Sequence, residues 1–196
     1  MRYTAEHKDK SYGKIVLSAS RLMRARGIAD VSIAKVMTDA GLTQGAFYAH
    51  FESKNDLATT AIGTALNESR NNAAEQVRKA RAEGRSAVRA IIDFYLSEKH
   101  LESPWRGCGL SAVSQEVSRE PSPIRDAMHA RLQDLVATFS PDMAGETQAE
   151  RNAAVELLYS TMVGIITLAR LSNTPAERLA YVERSKQLLL RMMGLT

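Results

Sequence analysis

The chain has 196 residues, with 26 Lys and Arg against 22 Asp and Glu, one Cys, and 44% apolar residues. That length holds one helical domain of ordinary size, or a small head on a larger body, and buries enough surface to need no disulfide or metal staple. The first 15 residues lack the apolar run of a signal peptide, and no later stretch reads as approaching the roughly 20 apolar residues of a membrane span, so a soluble, cytoplasmic protein with no membrane contact is expected.

Almost every segment reads at the helical period, and strand signals are missing. Ile15, Val16, Ala19, Leu22 and Met23 fall on one stripe, which predicts a helix from about residue 10 to 26 ended by Gly27. Ser32 is the expected N-cap of a short helix carrying Ile33, Val36 and Met37 and ending at Gly41. Thr43 is the expected N-cap of a second short helix through Phe51. A longer helix opens at Ser53, with Asp56 three residues on, and runs past Val77. Gly84 and Arg85 break the pattern. Val88, Ile91, Ile92, Tyr95 and Leu96 then predict one helix, stopped by Ser103-Pro104. After an irregular stretch from Trp105 to Gly109, Leu110, Val113 and Val117 mark a short helix. Ser122, between Pro121 and Pro123, opens a helix to about Phe139. Two capping boxes, Thr147 to Glu150 and Thr174 to Glu177, open helices over about 148–172 and 175–193.

Charge is unevenly spread. Residues 1–58 hold nine Lys and Arg against six Asp and Glu, and the rest holds 17 against 16, as expected of a basic head that meets nucleic acid. Within that head the two short helices joined at Ala40-Gly41-Leu42 make a helix-turn-helix. A recognition helix needs polar side chains near its N-terminus. Gln44 can pair with adenine N6 and N7, Thr43 and Ala46 offer methyl groups to thymine, and Gly45 keeps the backbone close to the groove. Lys8, Lys10 and Arg2 are candidates for an arm over the phosphates or into the minor groove.

The ordered string Gly27, Ser32-Ile33, Ala40-Gly41-Leu42-Thr43-x-Gly45-x-Phe47-Tyr48-x-His50-Phe51, Ser53-Lys54-x-x-Leu57 resembles the N-terminal DNA-binding domain of the TetR family of bacterial transcriptional regulators over about residues 12–58. One departure is Met37, where the family usually places Ala. The resemblance implies an all-α fold: a three-helix helix-turn-helix DNA-binding domain over 1–55, then a helical ligand-binding and dimerisation domain over 56–196. It also implies phosphate contacts from Tyr48, His50 and Lys54, and Lys10 and Ser32 are further DNA-binding candidates. Double-stranded DNA, a second copy of the chain and a small-molecule inducer are the expected partners.

In the body, wide apolar stripes over 148–172 and 175–193 make Leu158, Met162, Ile165, Ile166 and Leu189 the candidate dimer contacts, and Ser160 and Gly164 permit close helix approach. Phe94, Tyr95, Trp105, Cys108, Met128, Tyr159 and Met162 are candidates for a ligand pocket. The segment from Gly107 to Met128 resembles that of family members that sense electrophiles or oxidants through a cysteine. Arg106 and the following helix would lower the pKa of Cys108 in that case, and the other reading of Cys108 is a small buried hydrophobe, common for a free cysteine. No G-x-S-x-G, phosphate loop, H-E-x-x-H or cysteine pair appears, so neither an enzyme nor a cofactor or metal is expected. The expected function is a repressor that binds a palindromic operator as a homodimer. The alternative is a helical ligand-binding or cysteine-based sensor whose helix-turn-helix is only scaffold.

Overall fold

The computed structural model describes residues 5–102, 108–120 and 122–195. Arg2, Pro121 and the stretch holding Ser103, Pro104, Trp105, Arg106 and Gly107 lie outside the described residues, so the roles expected of them find no structural counterpart. Among the described residues there are nine α-helices, two short 3₁₀ segments and no strand, which makes the fold all-α.

The head begins with α1 (Ala5–Arg26), which starts five residues earlier than the apolar stripe suggests because its first turns are polar and exposed. Gly27 ends it at φ +87°. The expected capping pattern sets α2 (Ile33–Asp39), where the Ser32 hydroxyl accepts from the Lys35 amide at 3.2 Å. The second short helix is instead a 3₁₀ segment, Gln44–Ala49, and the Thr43 side chain makes no capping bond to it.

Helix α3 (Lys54–Ala82) runs from head to body, with Ser53 capping it through the Asp56 amide. Its buried face is rich in alanine, from Ala58, Ala61 and Ala65 to Ala73 and Ala80, which lets α1, α6 (Gly109–Val117) and α7 (Ser122–Phe139) lie close against it. Gly109 marks the tightest approach, since a methyl group there would sit 3.2 Å from Leu66 Cδ2.

The single helix expected after Gly84 is two. Helix α4 (Ala87–Tyr95) stops at Leu96 and α5 (Glu98–Glu102) follows, because the Ser97 hydroxyl donates to Phe94 O at 2.9 Å and accepts from the His100 amide at 3.3 Å. Both capping boxes form, opening α8 (Gln148–Ala169) and α9 (Pro175–Met192).

One apolar core joins head and body, from Ile15 and Met37 to Ile166 and Leu190, and it absorbs the bulk of Met37. Three of the five candidate dimer residues belong to that core. Leu158, Met162 and Ile166 are buried within one chain, because α8 turns that face onto α6 and α7, and of the three only Leu158 also borders the groove between α8 and α9. Ile165 and Leu189 are half-buried and line a groove of about 490 Å³ between α8 and α9. The outward face of α8 is instead Leu157, Ser160, Gly164 and Leu168, continued by Leu171. By length and composition α8 is also apolar enough to cross a membrane, which corrects the expectation that no stretch approaches a span. Its inner face is accounted for by the core.

Candidate nucleic-acid interface

The turn between α2 and the 3₁₀ segment is fixed by backbone bonds from Gly41 N to Thr38 O (3.1 Å) and from Leu42 N to Met37 O (2.9 Å). Beneath it Phe47 is fully buried and stacks on Phe51 at 5.7 Å, and Tyr12 of α1 stacks on Phe51 from the other side at 5.2 Å. Burying Phe47 turns its neighbours outward: Thr43, Gln44 and Gly45 are exposed, Ala46 is half-buried, and Tyr48 is 68% exposed. A 3₁₀ turn advances about 2 Å per residue, so these residues form a short, steep edge rather than a broad helical face.

The far end of α2 is pinned to α1. Asp39 Oδ2 accepts from the Ser18 hydroxyl at 2.6 Å and from Arg21 Nη2 at 2.7 Å, and the Ser18 bond, followed by Arg21, holds its carboxyl below the ordinary range.

The candidate phosphate contacts differ in what they offer. Lys54 Nζ donates to Ala29 O at 3.1 Å, which ties the start of α3 to the α1–α2 loop and leaves two ammonium protons. His50 is half-buried beside Tyr12 and Phe51, and burial, then the charge of Lys8, lowers its pKa. Both effects favour its neutral form over the cation, in which one ring nitrogen is still an N–H donor. Lys10 is exposed and paired with Glu6 at 2.7 Å. Ser32 is exposed, and its hydroxyl proton remains available beyond the cap.

One positioning residue escaped the sequence reading. Glu116 near the end of α6 accepts from the Ile28 amide at 2.8 Å and from the Ala29 amide at 2.6 Å, one carboxylate oxygen to each. The positive φ of +87° favours glycine at position 27, and a Cβ there would come within 2.8 Å of the same carboxylate and push it aside. The body thus grips the loop that Lys54 grips from the head. No sequence signal links residues 88 apart.

The candidate pocket residues are mostly solid core. Tyr95, Tyr159 and Met162 are buried, Tyr95 meets Tyr159 edge to face at 5.7 Å, and Met128 is buried on α7. Phe94 alone of the described candidates borders a cleft. Cys108 is 1% exposed and burial pushes its thiol up, which agrees with a packed thiol rather than with the acidic, accessible one a sensor would need. The helix-start effect is present, since the Leu110 amide donates to Sγ at 3.4 Å, but desolvation outweighs it.

Comparison with known proteins supplies the wider context. The profile of bacterial regulatory proteins of the tetR family matches residues 15–61. The chain is 32% identical over 180 residues to the HTH-type transcriptional regulator TtgR of Pseudomonas putida, covering 90% of this chain and 74% of that protein. It is 34% identical over 65 residues to the HTH-type transcriptional repressor BepR of Brucella suis, covering 33% of this chain but only 31% of that protein. The reduced form of E. coli NemR has the same fold, with a TM-score of 0.74 at 16% identity over 92% of this chain and 96% of that one.

Proposed function

The chain belongs to the TetR family of bacterial regulatory proteins, a DNA-binding helix-turn-helix regulator, and from that premise we propose that it is a cytoplasmic repressor released by a small-molecule inducer. In this reading a homodimer binds a palindromic operator. The head over 1–55 reads DNA and the body over 56–196 senses and dimerises, with α3 as the shared beam. The observation that carries it is the exposed edge of Thr43, Gln44, Gly45 and Tyr48, held rigid by the fully buried Phe47. Gln44 reads a base and Lys54 holds a phosphate.

The dimer reading is supported by the outward face of α8. Leu157, Ser160, Gly164, Leu168 and Leu171 recur every three or four residues, and Leu157 is 70% exposed. The small residues leave room for a partner helix, since a methyl group at Gly164 would meet nothing within 4 Å. Leu188 and Met192 of α9 continue the apolar surface.

The test is selection of bound duplexes from a random pool, followed by titration of the selected site at several salt concentrations. A palindrome bound about a thousandfold tighter than random duplex near physiological salt is expected. Equal affinity for the two would overturn the reading.

A further inference from the structure

At the seam between head and body, Leu17 and Arg21 of α1, Gln76 of α3, Phe94 of α4 and Lys99 and His100 of α5 border a cleft of about 570 Å³. That volume lies within the ordinary range for small-molecule sites, about 300–1,000 Å³. Its chemistry is one-sided. Arg21, Arg24 and Lys99 face a single carboxylate, Glu68, which Arg24 already engages at 3.2 Å. Arg21 pairs outward with Asp39, and Lys99 makes no ion pair among the described residues.

His100 adds a second, independent indication. It is 7% exposed, and its Nε2 accepts from the Cys108 amide at 3.1 Å, which places the ring proton on Nδ1. That N–H has no acceptor among the described residues. Arg170, at the end of α8, adds its field to the ring, and its Nε and Nη2 are buried without a partner. A ring donor bordering the cleft with no protein acceptor, beside Lys99 whose charge no carboxylate of the described residues meets, favours an acceptor of negative charge and disfavours a cation. Phe94, edge-on to His100 at 6.2 Å, and the half-exposed Leu17 supply an apolar wall.

We propose that this cleft binds a small organic acid, its carboxylate held by Lys99, Arg21 and His100 Nδ1–H and its apolar body against Phe94 and Leu17. Because α1 belongs to the head while α4 and α5 belong to the body, an occupied cleft fixes the spacing of the two. That consequence for DNA rests on the regulator reading; the binding itself does not.

The experiment is calorimetric titration of the full chain with 1-naphthylacetate and with its uncharged amide, 1-naphthylacetamide, a pair alike in shape. Wild type should bind the acid about tenfold tighter than the amide. Lys99→Glu and Asn72→Asp, both changes at exposed cleft positions, should each weaken acid binding about fivefold or more while the amide and the thermal midpoint stay unchanged. Acid and amide binding alike, neither binding at millimolar concentration, or both variants binding the acid like wild type would each overturn the proposal. Duplex selection on the same preparations separates the two readings. Acid discrimination without any preferred duplex would support the cleft and remove the repressor, and a preferred duplex without acid discrimination would do the reverse.

Discussion

Under the proposed function, Gln44 on the exposed edge of the head as a base contact and the half-buried Lys54 at the start of α3 as a phosphate contact should fail differently when removed. Gln44→Ala takes away a bidentate partner for one base, so it should cost about 1–3 kcal/mol at one operator position and leave the others alone. Lys54→Ala removes a phosphate contact, so it should weaken binding to every sequence and flatten the salt slope by about one unit. Affinities for a panel of single-base operator variants at several salt concentrations check both. Among the buried residues, His100 sets a pH dependence. Desolvation first, and then the charge of Arg170, lowers its pKa from 6.5 to about 4, with the Tyr95 ring tilted against it at 4.3 Å and the Cys108 amide bonded to it. Between those two values the unfolded chain binds a proton that the folded chain refuses. Stability is therefore complete above pH 6.5 and declines as the pH falls toward 4, by no more than about 3.5 kcal/mol. Urea midpoints from about pH 7 to about pH 4.5 should fall more steeply in wild type than in His100→Gln, whose side chain has no proton to take.

At the scale of elements, α6 is joined to the head by one carboxylate. Both oxygens of Glu116 accept amide protons of the α1–α2 loop, bonds to a charged group of a kind worth about 1.5–3 kcal/mol each where water is excluded and less in this partly exposed setting. Glu116→Ala should speed hydrogen exchange at Ile28 and Ala29 selectively and lower stability by about 1–2 kcal/mol. Uniform acceleration along α1 would mean general loosening instead. The interruption at Ser97 matters for a different reason. A continuous helix from 87 to 102 would carry His100 and Lys99 around a regular spiral, whereas the Ser97 cap redirects α5 so that both border the cleft.

For the whole molecule the two faces of α8 should separate folding from assembly. Met162 has no exposed surface, so Met162→Ala should lose about 2–5 kcal/mol of stability while the oligomeric state of the folded protein is unchanged. Leu168→Glu alters the outward face at a half-exposed position. It should leave the monomer fold intact and convert the proposed dimer to monomer, because two like charges would be desolvated across its two-fold axis. Sedimentation and thermal melting on the same samples distinguish the two effects. A Leu168→Glu protein that sediments as an unchanged dimer would move the interface elsewhere.

The sequence by itself determined whatever depends on neighbours a few residues apart. Helical periodicity, the Ser32 and Ser53 caps and the two capping boxes act within four residues, so α2, α3, α8 and α9 are legible from the chain, as is the helix-turn-helix string from Ser32 to Lys54. What lies on which side of a helix wrapped in apolar residues is not local. Leu157 and Leu158 are adjacent and equally apolar, and only the packing of α8 on α6 and α7 sends the first outward and the second into the core. The thiol of Cys108 follows the same logic. Its helix-start position is written in the sequence, but the burial that raises its pKa comes from distant elements, and desolvation is the larger effect. Glu116 gripping residues 28 and 29, and the cleft where α1, α3 and α5 meet, likewise exist only once the chain has closed on itself.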